Sequence, residues 1–252
     1  MRIEIEGGTP EWLAQRHGCF TASNIERGTA RLLRASNGRV KGDYKETRFQ
    51  YIREVIAERF AGLAIEHFVT PYMDQGLVNE PLALEAYNLA MDVEVERKYG
   101  FALHPTIEFF GASLDATVGE KGGVEAKCFK PDKHLQIYET REIPEENIAQ
   151  VLGEMSCYEL DWCDWISYCG FGSWPRKVRL FRKRIERSDT LTFRDVTQTV
   201  DSHIADIEAE AKRFLEDVIL EMGKLAKLAE VTELAWEPRN DCEELGKPRP
   251  EE

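Results

Sequence analysis

Apolar residues recur every three or four positions along several long stretches of the chain and every second position along shorter ones. This pattern predicts helices interleaved with strands. Phe49, Ile52, Ile56 and Phe60 mark a helix over residues 47–63. A second helical pattern covers 72–98, where Gly76, Asn79 and Glu80 precede Pro81 at a favoured first helical position, with Leu82, Tyr87 and Leu89 behind it. Glu80 is then expected at or beside a helix start, where the dipole favours an acid. Pro144 opens a helix running to about residue 158, with Gln150 one turn inside it, and 189–230 forms one long amphipathic helical region. Residues 164–169 and 178–185 alternate as strands do, and Pro131-Asp132-Lys133-His134 has the composition of a turn. Near the N-terminus a short helix around Trp12 ends at Gly18, and Thr21 and Ser23 open another.

The centre of the chain predicts a β-hairpin. An apolar run over 107–114 leads into a loop holding Gly119, Gly122 and Gly123, and residues 124–129 return. Side chains alternate along a strand, so Glu125 and Lys127 share one face while Ala126 points into the body, and Asp115 ends the first strand close to them. Two carboxylates and the Ala126 carbonyl are hard oxygen ligands suited to Mg²⁺ or Mn²⁺, beside an amine able to orient or deprotonate a water. Hydrolysis of a phosphodiester needs that set of groups.

Bulk properties narrow the picture. A chain of 252 residues, 42% hydrophobic and 31% charged, supports one substantial core. No apolar run is long enough to span a membrane and residues 1–6 carry no signal-peptide pattern, so a cytoplasmic protein is expected. The six cysteines form no C-x-x-C pair and read as reduced thiols. The histidines show no paired metal-ligand spacing, and neither a P-loop nor a dinucleotide fingerprint occurs, which argues against a zinc hydrolase and against nucleotide-driven work. The net charge of −13 sits badly with nucleic-acid binding until its distribution is considered. Residues 188–252 hold 17 acids against 8 bases and so carry −9 of the total, whereas 24–60 and 174–187 are basic and offer two phosphate-binding surfaces. Arg39 and Lys41 stand in a polar loop of the first of these. Arg16, one loop away from Thr21 and Ser23 at a helix N-terminus, makes an anion site suited to a terminal phosphate. Trp162, Trp165 and Trp174 are expected in a core or subunit interface.

The ordered series Trp12-x-x-x-Arg16, Thr21-Ala22-Ser23, Gly76-x-x-x-Glu80, Ser113-Leu114-Asp115, Glu125-Ala126-Lys127, Asn147-x-x-Gln150 and Ile185-Glu186-Arg187 resembles the phage recombination exonucleases. These are the lambda-exonuclease or YqaJ-like branch of the PD-(D/E)xK nucleases, and the likeness spans residues 9–187. It departs from the family at Leu114, where a Pro is usual, and in its longer acidic tail. The resemblance implies an α/β fold with a central mixed β-sheet flanked by helices. It implies a metal centre at Asp115, Glu125 and the Ala126 carbonyl, taking Mg²⁺ with Mn²⁺ as substitute, with Lys127 on the attacking water and Glu80 and Gln150 assisting. Arg16, Ser23 and Thr21 would hold the 5′ phosphate, and Trp12, Arg39 and Lys41 would contact DNA. The expected activity is 5′-to-3′ degradation of one strand of linear double-stranded DNA by a homotrimeric ring. The expected partner is a phage single-strand annealing protein, in the cytoplasm of a bacterial host. The expected layout is a nuclease domain over 1–187, a helical extension over 188–235 and a disordered acidic tail over 236–252. An endonuclease of the same superfamily and a non-catalytic DNA-end-binding protein are the alternatives.

Overall fold

The computed structural model describes residues 9–36, 38–62, 71–97, 100–172 and 174–231. The expected disordered tail at 236–252 lies outside the described residues. In chain order the elements are α1 (Pro10–Arg16), β1 (Phe20–Thr21), a 3₁₀ turn (Ala22–Asn24), α2 (Ile25–Thr29), α3 (Glu46–Ala61) and α4 (Pro71–Met91). Then come β2 (Glu96–Arg97), β3 (Ala102–Leu103), β4 (Phe110–Ala112), β5 (Ala116–Val118), β6 (Gly122–Cys128), α5 (Pro131–Thr140), α6 (Glu145–Cys157) and β7 (Trp162–Tyr168). The chain continues through α7 (Arg176–Arg179), β8 (Leu180–Glu186), β9 (Thr190–Phe193), β10 (Val196–Thr199) and α8 (Val200–Val231). It divides into two compact units, Met1–Val218 and Ile219–Glu252. Of the second, the described part is helical, and it exposes Ile219, Leu220, Leu225 and Leu228.

The first unit is built on a mixed sheet in the order β2-β5-β6-β7-β8. β6 and β7 run parallel through seven paired positions, with α5 and α6 forming the crossover, and the remaining pairs are antiparallel. Helix α4 covers one face, where Ala83, Leu84 and Tyr87 pack on Val124, Ala126, Ile166 and Tyr168. A small sheet in the order β1-β4-β3 carries the N-terminal segment. Helix α6 lies against it because residue 153 is glycine: a Cβ there would collide with Ile25 and Ala22.

Several sequence expectations change. The hairpin forms between β5 and β6, joined at the positive-φ Gly119, while Gly122 and Gly123 belong to the returning strand. The earlier apolar run contributes β4 to the other sheet, because Phe20 N–H takes the Phe109 carbonyl and β1 pairs with β4 in parallel. Pro81 lies inside α4 rather than at its start, a position that forfeits a backbone hydrogen bond. Glu80 is therefore mid-helix. Pro131 starts α5 instead of a turn, and the helix is retained because His134 and Ile137 are buried on it. Residues 189–199 form the β9–β10 hairpin, turned by Arg194 and Asp195 at positive φ, so the long helix begins only at Val200. Of the three tryptophans Trp165 is fully buried, whereas Trp162 and Trp174 are half-buried.

Candidate active site

Strand β6 turns Val124 and Ala126 toward α4 and its two charged residues toward the opposite face. There Glu125 is 2% exposed. Lys127 Nζ lies 2.6 Å from Glu125 Oε1, and Gln150 Nε2 donates to the same oxygen at 2.7 Å. Both cationic and amide donors thus converge on Oε1, and Oε2 is buried without a partner.

Asp115 stands between β4 and β5, and its Oδ2 accepts the Ala126 N–H at 2.7 Å. The β5–β6 ladder ends at the Ala116–Val124 pair, so this carboxylate takes the place of the next backbone acceptor. The N–H and C=O of one strand residue leave on the same side, which directs the Ala126 carbonyl to the same open edge. Glu80, held by Arg97 Nη2 at 3.0 Å, lies near enough to raise the Asp115 pKa.

The expected phosphate-binding residues share this place. Arg16, Thr21 and Ser23 line the same pocket of about 160 Å³ as Asp115, Glu125, Lys127 and Gln150. The Thr21 and Ser23 hydroxyls are 3.2 Å apart, and Thr21 makes no side-chain cap on the 3₁₀ turn. Tyr51 OH accepts the Thr21 N–H and donates to the Cys19 carbonyl, fixing the turn from the core side. The Arg16 guanidinium lies 4.2 Å from the Trp12 ring centroid, and the indole N–H donates to Ser113 Oγ at 3.1 Å. Among the described residues Arg16 forms no ion pair, Glu58 lies near enough to act on it electrostatically, and the part-buried guanidinium lines the pocket.

Trp12 supports this arrangement from behind and does not line the pocket. Neither do Arg39, which is bound to Glu46, and Lys41, which is exposed in its loop. Much of the two basic stretches is engaged within the chain. Arg27 pairs with Glu54, Arg31 with Glu210 and Arg48 with Asp217, while Arg182 and Arg184 both bind the buried Asp164, whose other partner is Tyr87. A larger cleft of about 750 Å³, lined by α5, the start of α6 and β9, contains none of the expected site residues.

The sequence matches the model of the YqaJ-like viral recombinase domain over residues 11–161. The chain belongs to that family. No curated protein matches it by sequence. An alkaline exonuclease from Laribacter hongkongensis, LHK-Exo, is 30% identical, and the alignment covers 89% of this chain and 100% of the other with a TM-score of 0.73. The structure of LHK-Exo in complex with dAMP aligns equally well. A phage related exonuclease from Haemophilus somnus 129PT shares the fold at 14% identity, with coverage of 82% and 97% and a TM-score of 0.53. The mixed sheet flanked by helices is thus the alkaline exonuclease fold, and this YqaJ-like chain is a nuclease of the phage exonuclease type.

The YqaJ-like site contains one acid that the motifs did not point to. Glu154 is 0% exposed, accepts from Gln150 Nε2 at 2.7 Å through Oε1, and leaves Oε2 without a partner. The signal was available, because residues four apart share a helix face and Glu154 follows Gln150 by four on α6. Burial, then Glu125 and Glu80, pushes the Asp115 carboxyl well above its ordinary range; burial and Glu125 do the same to Glu154. This crowding suits a cation. Among the described residues no three acidic, imidazole or thiol groups form a ligand set by themselves, so an ion here would draw on the Ala126 carbonyl, water or substrate oxygens as well. Mg²⁺ and Mn²⁺ accept such mixed oxygen shells.

A stability consequence follows. When a carboxyl pKa is raised by folding, the native state holds protons that the unfolded chain has released, so stability falls as pH rises above the ordinary carboxylate value near 4. In EDTA the melting temperature is expected to fall between pH 5 and pH 8, and Mg²⁺ at pH 8 is expected to restore about 3 °C or more. Scanning calorimetry at both pH values checks this. Identical melting with and without the ion at pH 8 would remove the cation from this cluster.

Proposed function

We propose that this chain is a Mg²⁺-dependent exonuclease that degrades one strand of linear double-stranded DNA from its 5′ end. The observation that carries the reading is the shared pocket: a guanidinium and two hydroxyls beside a carboxylate pair, an amine and an amide. Asp115, Glu125 and the Ala126 carbonyl would hold the ion, and Glu125 Oε2 is an oxygen with no other work. When bound, Mg²⁺ supplies positive charge against the oxygens of the phosphoryl group in the transition state. The protein's own part is to place the scissile bond. Arg16, Thr21 and Ser23 bind the terminal 5′ phosphate, and Lys127 donates to the attacking water. Burial lowers the Lys127 pKa less than Glu125 and Asp115 raise it, so the resting amine is an ammonium that orients and polarises rather than a ready base.

LHK-Exo, a relative solved with dAMP, supports a nucleotide as the product class. The family resemblance supports a homotrimeric ring around the duplex and a phage annealing protein as partner, working in the bacterial cytoplasm. Light scattering that returned the 28.9 kDa monomer would overturn the ring.

The test is digestion of linear and closed circular duplexes, with and without Mg²⁺. Release of label from 5′ ends of the linear form alone is expected, and cutting of circles would make the protein an endonuclease. Arg16→Ala is expected to slow 5′-phosphorylated ends by about 100-fold while changing 5′-hydroxyl ends little, because the charge-assisted contact exists only with the first substrate. An unchanged ratio between the two ends would return Arg16 to a scaffold role.

A further inference from the structure

The Gln150 amide is doubly committed. Its Nε2 lies 2.7 Å from Glu125 Oε1 and 2.7 Å from Glu154 Oε1. A primary amide nitrogen carries two hydrogens, so both are used by these two carboxylates. The structure sets the amide nitrogen, not the carbonyl, against the two carboxyl groups. With the nitrogen held on the acid side, the amide oxygen is turned the other way, and Gln150 lines the pocket it shares with Arg16, Thr21 and Ser23.

We infer that Glu154 is a positioning residue for the nuclease site: as a buried acceptor on α6 it fixes the amide of Gln150, so that Gln150 restrains Glu125 and presents its carbonyl oxygen to the substrate pocket. Three observations converge on this. Glu154 is fully buried, although acids are almost never fully buried unless paired, and among the described residues its side-chain donor is Gln150. The neighbouring Gly153 lets α6 approach the 3₁₀ turn closely, since a Cβ there would collide with Ile25 and Ala22. And Lys127 alone, a single flexible amine on Glu125 Oε1, cannot set the rotation of that carboxylate, whereas a planar amide anchored at a second point does. Removing Glu154 frees one amide hydrogen and allows the flip.

The inference rests on the exonuclease reading, and a double-mutant cycle separates the two. Glu154→Gln replaces the carboxyl oxygen that accepts the Gln150 amide by a primary amide of the same size, whose own N–H₂ can donate to the Gln150 carbonyl. It is expected to lower kcat about 10- to 100-fold with the KM for duplex ends unchanged, and with melting temperature at or above wild type because a crowded buried acid is gone. Gln150→Ala is expected to lower kcat at least as far. If Glu154 acts through Gln150, the double variant Gln150→Ala/Glu154→Gln equals Gln150→Ala within about twofold. Losses that multiply would give Glu154 an independent role and overturn the inference. A crystal structure of Glu154→Gln reads the same point without activity: a displaced or flipped Gln150 amide is expected, and an amide unmoved from Glu125 overturns the inference. A wild type that cuts nothing, together with a displaced amide in the variant, would count against the exonuclease reading and leave the positioning role standing.

Discussion

Glu125→Ala is expected to reduce cleavage of linear duplex by about 10³-fold or more while the protein remains folded and still binds DNA. The cause is electrostatic. Phosphodiester hydrolysis concentrates negative charge on the phosphoryl oxygens, and groups arranged in advance against that charge supply the largest single part of the rate. Glu125 is where those groups meet: Lys127 and Gln150 both end on its Oε1, and its free Oε2 is the natural ion ligand. Truncation removes the ligand and releases both neighbours together. The fold should survive, because Glu125 repels Asp115 and Glu154 and its loss relieves both. Glu125→Gln keeps the volume and controls for packing, and it should be nearly as inactive. Circular dichroism, filter binding and release of end label measure the three properties. Near wild-type digestion by Glu125→Ala in Mg²⁺ would make the assignment of the site wrong.

The local spacing rules carried the site further than they carried the fold. Alternation along a strand was enough to put Glu125 and Lys127 together and Ala126 behind them, since that geometry depends on β6 alone. Bringing Arg16, Thr21 and Ser23 to the same pocket depends on β1 pairing with β4 and on α6 packing against the 3₁₀ turn, and both contacts are long-range. Only the resemblance to a family, which fixes the order of distant motifs, reached across that distance.

The misread elements share a cause. Pro81 and Pro131 were assigned from local preference, one as a helix start and the other as a turn. Tertiary packing reversed both: Ala83, Leu84 and Tyr87 bury against the sheet and carry α4 through its proline, and the burial of His134 and Ile137 holds α5 together. The first apolar run was paired with the strand that follows it, whereas its partners are β3, just before it, and β1, some ninety residues earlier. Within the clustered arginines, Arg31, Arg48, Arg182 and Arg184 meet acids from elsewhere in the chain, Glu210, Asp217 and Asp164, which local spacing does not reveal. The cations that line the pocket are Arg16 and Lys127.

Lys127 is the remaining residue whose replacement should be drastic, and here the direction on ion binding opposes the direction on rate. Lys127→Met retains the stem and removes the charge; kcat is expected to fall about 10²–10³-fold. The ammonium sits 2.6 Å from Glu125 and holds down the Asp115 pKa, so it competes with a cation for the same carboxylates. Without it the acids are more crowded and need a counter-charge more, so the affinity for Mg²⁺, read from the pH 8 melting shift, should hold or rise. Lys127→Arg should not rescue the rate, because a planar guanidinium cannot point a compact donor at one water in the space beside Glu125. Loss of rate with retained or tighter ion binding assigns the amine to the attacking water and the phosphoryl group. A parallel fall in both would instead make Lys127 part of the scaffold that shapes the ion site, and the proposed division of labour between the amine and the two carboxylates would fail.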